Sequence, residues 1–108
     1  MIETHRFEVT NGATLIIQPR NFHGQRFTDG HRNVQITCTN LGGGTFDVQY
    51  RAPESSSFTG HVGGATETDN VLIAGPRAPL FDAIKLEFSN IPNGTVTKVM
   101  INTWPRGL

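Results

Sequence analysis

The chain predicts an all-β domain, an antiparallel β-sandwich or jelly roll of about eight short strands. Three observations predict it. Ile84, Leu86 and Phe88 alternate with Lys85 and Glu87, the period-two pattern of a strand with one buried face. Comparable stretches recur along the chain at short spacing, separated by Gly, Pro and Asn. No window sustains the period of an amphipathic helix: residues 80–86 come nearest, and alternation describes them better.

The elements follow in order. Residues 5–10 alternate, with Phe7 and Val9 on one side. Asn11-Gly12 suits a two-residue type I′ turn, whose two central positions need positive φ. Residues 13–18 are then expected as the return strand of a hairpin, stopped by Pro19. Residues 32–39 form another alternating strand, and 40–44 a flexible Gly-rich turn. In the strand at 45–51, Phe46, Val48 and Tyr50 face inward. A loop around Pro53 and the serines at 55–57 precedes short strands at 58–62 and 68–74. The final strand, 95–104, is apolar on both faces, with Val99 and Ile101 on one and Val96, Met100 and Trp104 on the other. A central strand, or one whose outer face meets a partner, has that pattern.

With 108 residues, no repeat and no linker, the chain is expected to be a single β-sandwich domain over residues 1–108. Nine basic and nine acidic side chains give a net charge of zero, which removes bulk attraction to nucleic acid or an anionic membrane. Near-neutrality also suits a chain packed among copies in an assembly, since it weakens self-repulsion. No stretch is apolar enough to span a bilayer, and residues 1–10 lack the apolar run of a signal peptide. The expectation is a chain made in the cytoplasm and released by lysis or a carrier.

Candidate chemistry is sparse. Cys38 is the sole cysteine, so neither an intrachain disulfide nor a thiolate metal cluster is available. It shares a face with Val34 and Ile36 and is expected to be a small buried apolar residue. His5, His23, His31 and His61 have no spacing that would converge three or four ligands on a metal. The serines beside Glu54 lack a nucleophile elbow, and Gly42-Gly43-Gly44 is not followed by a helix that would make it a phosphate loop. The expectation is a non-enzyme with no cofactor, no metal and no catalytic residue. Trp104, followed by Pro105, is expected to anchor the C-terminus to the core, with presentation of an aromatic to a partner as the alternative; Tyr50 and Trp104 are also the candidates for a sugar-stacking platform.

The most distinctive local feature is PRNFHGQRFTDGHRN, residues 19–33, which interleaves arginines with phenylalanines against one acid, Asp29. Such a mixture binds single-stranded nucleic acid by stacking and phosphate contact, or anchors a protein interface. A surface loop whose phenylalanines fold back onto the core has the same composition. Its length favours function, and Arg20, Phe22, Arg26, Phe27 and Arg32 are the expected partner contacts.

Residues 41–104 resemble the C-terminal portion of small bacteriophage virion proteins of the β-sandwich type. The resemblance lies in a Gly-rich turn before Thr45-Phe46-Asp47-Val48-Gln49-Tyr50, and in Gly75-Pro76 leading to the alternating strand at 82–88. A closing strand after Asn93-Gly94 completes it. The resemblance implies a virion structural protein, with a capsid decoration or cement protein as the expected role. The expected partners are the major capsid protein or other virion proteins, with further copies of the chain. The alternatives are a phage tail or baseplate component and a carbohydrate-binding module.

Overall fold

The computed structural model describes residues 2–17, 32–52, 56–58, 60–61, 70–73, 81 and 83–105. They form eight strands: β1 (Glu3–Thr10), β2 (Leu15–Ile17), β3 (Arg32–Thr39), β4 (Thr45–Arg51), β5 (Gly60–His61), β6 (Asn70–Ile73), β7 (Ala83–Ser89) and β8 (Val96–Pro105). Every pairing is antiparallel, and the strands divide into two four-stranded sheets, β1-β8-β3-β6 and β2-β7-β4-β5. The predicted all-β sandwich is the observed one, and no helix occurs among the described residues.

Alternation sets which side chains close the core. From the first sheet come Val9, Val34, Ile36, Cys38, Val71, Val99 and Ile101; from the second, Ile17, Phe46, Val48, Ile84 and Leu86. Leu41 and Phe81, from connections, complete the cluster. Phe46 is wholly buried and meets the half-buried Phe88 ring at 6.2 Å, a tilted pair of the kind aromatic rings favour. Tyr50 also faces inward and packs against Phe81, with ring centroids 6.3 Å apart. β8 is central, flanked by β1 and β3; Val99 and Ile101 face the core, while Val96, Met100 and Trp104 lie half-buried on the outer face.

The expected hairpin is overturned. The turn at 11–12 forms as read, with φ of 56° at Asn11 and 68° at Gly12, and Ala13 N–H donates to the Thr10 carbonyl at 3.2 Å. It does not make a hairpin. β1 pairs with β8 through eight consecutive residue pairs, Glu3 with Thr103 to Thr10 with Val96. β2 instead crosses to the other sheet and pairs with β7. The reason is competition for β1: an eight-pair ladder to a central strand outweighs the three residues that β2 offers.

The sandwich has two unlike ends. At one, the turns 10–13, 40–44 and 90–95 are built into each other. Asn11 N–H donates to the Thr95 carbonyl at 2.9 Å, and Gly94 N–H donates to Asn11 Oδ1 at 2.6 Å. Asn40 Nδ2 donates to the Val96 carbonyl at 2.8 Å, and Thr97 Oγ1 donates to the Asn40 carbonyl at 3.2 Å. The connection 40–44 is therefore a fixed turn rather than a flexible one, with Leu41 sunk in the core and Gly44 N–H donating to the Leu41 carbonyl. Gly44 admits no side chain, because a Cβ there would lie 2.5 Å from Ile91 Cδ1 and 2.6 Å from the Ser89 carbonyl oxygen. At the other end β2 and β4 finish and β3, β5 and β7 begin.

Candidate interaction surfaces

Arg20, Phe22, Arg26 and Phe27 lie outside the described residues. Arg32 opens β3 opposite Pro105, and the next pair is Asn33 with Trp104. The C-terminal end of the Arg/Phe segment is thus joined to the sheet beside Trp104. That adjacency links two features that the sequence presents seventy positions apart, and it came from strand register alone.

The outer face of β1-β8-β3-β6 carries a mixed surface. Cross-strand rows place Glu8, Lys98 and Thr39 side by side, then Arg6, Met100 and Thr37, then Thr4, Asn102 and Gln35. A groove of about 520 Å³ runs over the first two rows, with Met100 between the charged and hydroxyl side chains. A second hollow of about 340 Å³ is lined by Ile2, Gln35, Asn102 and Trp104. Ile2 is 65% exposed, the most open large apolar residue among those described. Thr4 Oγ1 donates to Asn102 Oδ1 at 2.7 Å, an exposed bond between β1 and β8. Trp104 is half-buried on this face, so it serves as part of an outer surface rather than as a core anchor.

The outer face of β2-β7-β4-β5 is a charged network. Gln49 Nε2 donates to Asp47 Oδ2 at 2.9 Å and to Glu87 Oε1 at 2.7 Å. Lys85 Nζ lies 3.2 Å from Glu87 Oε1. Phe58 folds over this face with Arg51 5.5 Å and Lys85 5.2 Å from its ring centroid, both within cation–π range. Sequence reasoning missed this network, although Asp47, Gln49 and Glu87 all occupy outward positions of strands it had placed correctly.

Little in either face is arranged for chemistry. The two carboxylates that meet, on Asp47 and Glu87, are bound by an amide and an ammonium on an open sheet surface. His5 lies 3.9 Å from Glu3 at the start of β1. Among the described residues no group of three or more His, Cys, Asp or Glu could hold a metal. His23 and His31 lie outside the described residues, and His61 is placed only as a backbone position in β5. Cys38 is buried, and burial pushes its thiol up from 9.0 to about 12, so the nucleophilic thiolate is disfavoured. Tyr50, pointing into the core, is removed as a sugar platform; Trp104 is left.

No protein-family profile matches the chain, and no curated protein matches it. Among solved structures, it is similar to one described as "Bacillus endospore appendages form a novel family of disulfide-linked pili". That likeness has a TM-score of 0.43 and 9% identity, covering 99% of this chain and 88% of the other. It is a likeness between small β-rich domains.

Proposed function

We propose that the chain is a non-enzymatic structural protein of a virion, a decoration or cement protein that binds neighbouring capsid subunits. The observation that carries this reading is the outer face of β8. Met100 and Trp104 emerge there between polar rows, and Ile2 joins Trp104 at one hollow. A central strand with apolar residues on its solvent side suits a sheet whose second face is also covered in its working state. The strand order 1-8-3-6 against 2-7-4-5 adds support, being that of two interlocked Greek keys, the jelly-roll arrangement recurrent in viral capsid domains. That part is fold-level analogy. The Arg/Phe segment, joined to the sheet beside Trp104, extends the contact surface through Arg20, Phe22, Arg26, Phe27 and Arg32. Many weak copies acting together give the particle its reinforcement.

The test begins with mass spectrometry of purified particles from the same source. Decoration expects many copies per particle; a low copy number moves the reading to a tail or baseplate component, and absence removes it. The contact surface is tested with Met100→Lys and Trp104→Lys, each expected to abolish binding to particles while the fold persists. Binding unchanged in both would remove this face from the interface.

A second reading has its own observation. Trp104, Gln35 and Asn102 combine one aromatic face with two side-chain amides around an open hollow, a combination that suits stacking and hydroxyl recognition of a neutral sugar. Trp104 is the only tryptophan in the chain, so its fluorescence reports this site alone. Sugar-dependent quenching together with a positive glycan array would support a carbohydrate-binding module; silence in both would end that reading.

A further inference from the structure

We propose that Asn93 is a latent deamidation site, held shut by Asn11 across two joined turns. Asn93-Gly94 is one of two Asn-Gly pairs in the chain, and Asn11-Gly12 is the other. The sandwich brings both to the same end, on facing turns. Asn11 Oδ1 accepts from Gly94 N–H at 2.6 Å, and Asn11 N–H donates to the Thr95 carbonyl at 2.9 Å. The site lies apart from the outer face of β8 and stands or falls separately from the virion reading.

The reaction needs two atoms to meet. The Gly94 backbone nitrogen, losing its proton, attacks Cγ of the Asn93 carboxamide. A new C–N bond forms as the carboxamide C–N bond breaks, and ammonia leaves with the proton. The product is a five-membered succinimide. Water then adds to one of its two carbonyls and opens the ring to aspartate or isoaspartate. One water is consumed and one ammonia released, and nothing is oxidised or reduced. Glycine is the most permissive residue to follow the asparagine, because no Cβ shields its nitrogen. Asn93 and Gly94 are both exposed, so water and base reach them.

Geometry decides whether that nitrogen is available. Residues 92–95 make a β-turn closed by Thr95 N–H, which donates to the Pro92 carbonyl at 3.1 Å, with φ of 86° at Gly94. The closing bond leaves Gly94 N–H for another acceptor, and Asn11 Oδ1 takes it. While that bond holds, loss of the proton would set a bare nitrogen against the carboxamide oxygen. The bond also fixes the peptide plane against the rotation that carries the nitrogen onto Cγ. At the same time it anchors the Asn11 carboxamide on the facing turn. One hydrogen bond thus restrains the nucleophile of one Asn-Gly pair and the electrophile of the other. Its opening has a cost for the fold. Isoaspartate inserts a methylene into the main chain just before Thr95 and Val96, whose carbonyls accept from Asn11 and Asn40.

Peptide mass spectrometry, with chromatographic separation of aspartate from isoaspartate, follows Asn93 during incubation at pH 8 in native buffer and in urea. Asn93 is expected to react slowly in the folded wild type and rapidly in the unfolded chain. Asn11→Gly keeps the left-handed backbone and removes the acceptor. It is expected to speed the native reaction roughly fivefold, the factor that loss of one ordinary hydrogen bond carries. Asn11→Asp retains an oxygen acceptor and is expected to stay as slow as wild type. Gln49→Leu weakens the fold from the other sheet without touching these turns, so it controls for general loosening and is expected to leave the rate near wild type. In urea the four chains are expected to react alike at Asn93. A native wild type as fast as the unfolded chain, or Asn11→Gly no faster than wild type, would overturn the proposal. So would Asn11→Asp or Gln49→Leu accelerating the reaction as much as Asn11→Gly does.

Discussion

Asp47 and Glu87 stand directly opposite one another on β4 and β7, and a single nitrogen, Nε2 of Gln49, donates to both carboxylates. Like charges facing across a ladder repel. Here one amide, with two N–H bonds to give, converts the repulsion into a bridge, and Lys85 adds a positive charge at 3.2 Å from Glu87. Gln49→Leu keeps the strand and removes the bridge. It is expected to cost about 1 kcal/mol by chemical denaturation at low salt. The cost should shrink as added salt screens the exposed pair. A cost independent of ionic strength would mean that packing, not repulsion, had been lost.

Asn11 does two separable things. Its backbone takes φ of 56°, and its Oδ1 accepts from Gly94 N–H. Asn11→Ala loses both and should cost about 2 kcal/mol. Asn11→Gly keeps the left-handed conformation without strain and should cost about 1 kcal/mol, the hydrogen bond alone. Equal losses in the two variants would show that backbone conformation contributes nothing at this turn.

Neighbouring glycines at 43 and 44 should respond oppositely to expectations from φ. Gly43 has φ of 91° with open space around it, whereas Gly44 is confined by Ile91 and by the Ser89 and Asn90 carbonyl oxygens. Gly43→Ala is expected to cost about 1 kcal/mol of conformational strain. Gly44→Ala must displace backbone atoms and should cost about 3 kcal/mol. Urea denaturation of both variants gives the comparison.

Cys38 makes stability pH-dependent on the alkaline side. Burial raises its thiol from 9.0 to about 12, so the folded state holds the proton more tightly than the unfolded chain does. That contribution is fully present below pH 9 and is lost as pH rises from about 9 towards 12. Cys38→Ala should therefore show a shallower loss of stability across that interval, whatever its cost at neutral pH. Iodoacetamide at pH 8 should label the native thiol far more slowly than the unfolded chain. Rapid native labelling would contradict the burial.

Strand positions were legible because alternation is a local signal. Residues 32–39 and 45–51 were read with the observed bounds, and the inward set Phe46, Val48 and Tyr50 followed from period two. Pairing was not legible. Asn11-Gly12 announced a turn truthfully, but a turn fixes only the reversal of four residues, and which strand captures β1 depends on β8 at the far end of the sequence. The candidate surfaces divide in the same way. The two-sided apolarity of β8 was visible in residues 95–104, whereas the hollow joining Ile2, Gln35, Asn102 and Trp104 needs three strands in register. Of the five Arg/Phe contacts, only Arg32 has a described place, and that place is a backbone position.

The pairing of β1 with β8 carries a consequence in time. Glu3 meets Thr103, so the two outermost strands of the sequence are neighbours, and β8 also supplies the ladder on which β3 depends. During synthesis β1 must wait until residues 96–103 have emerged before its partner exists. Of the six ladders among the described residues, β4 with β5 joins consecutive strands and is free to form early; the rest close over long separations in sequence. Such topology makes folding slow. It also means that β1 lacks the β8 ladder until the last strand arrives, and the nascent chain is most prone to wrong pairing in that interval.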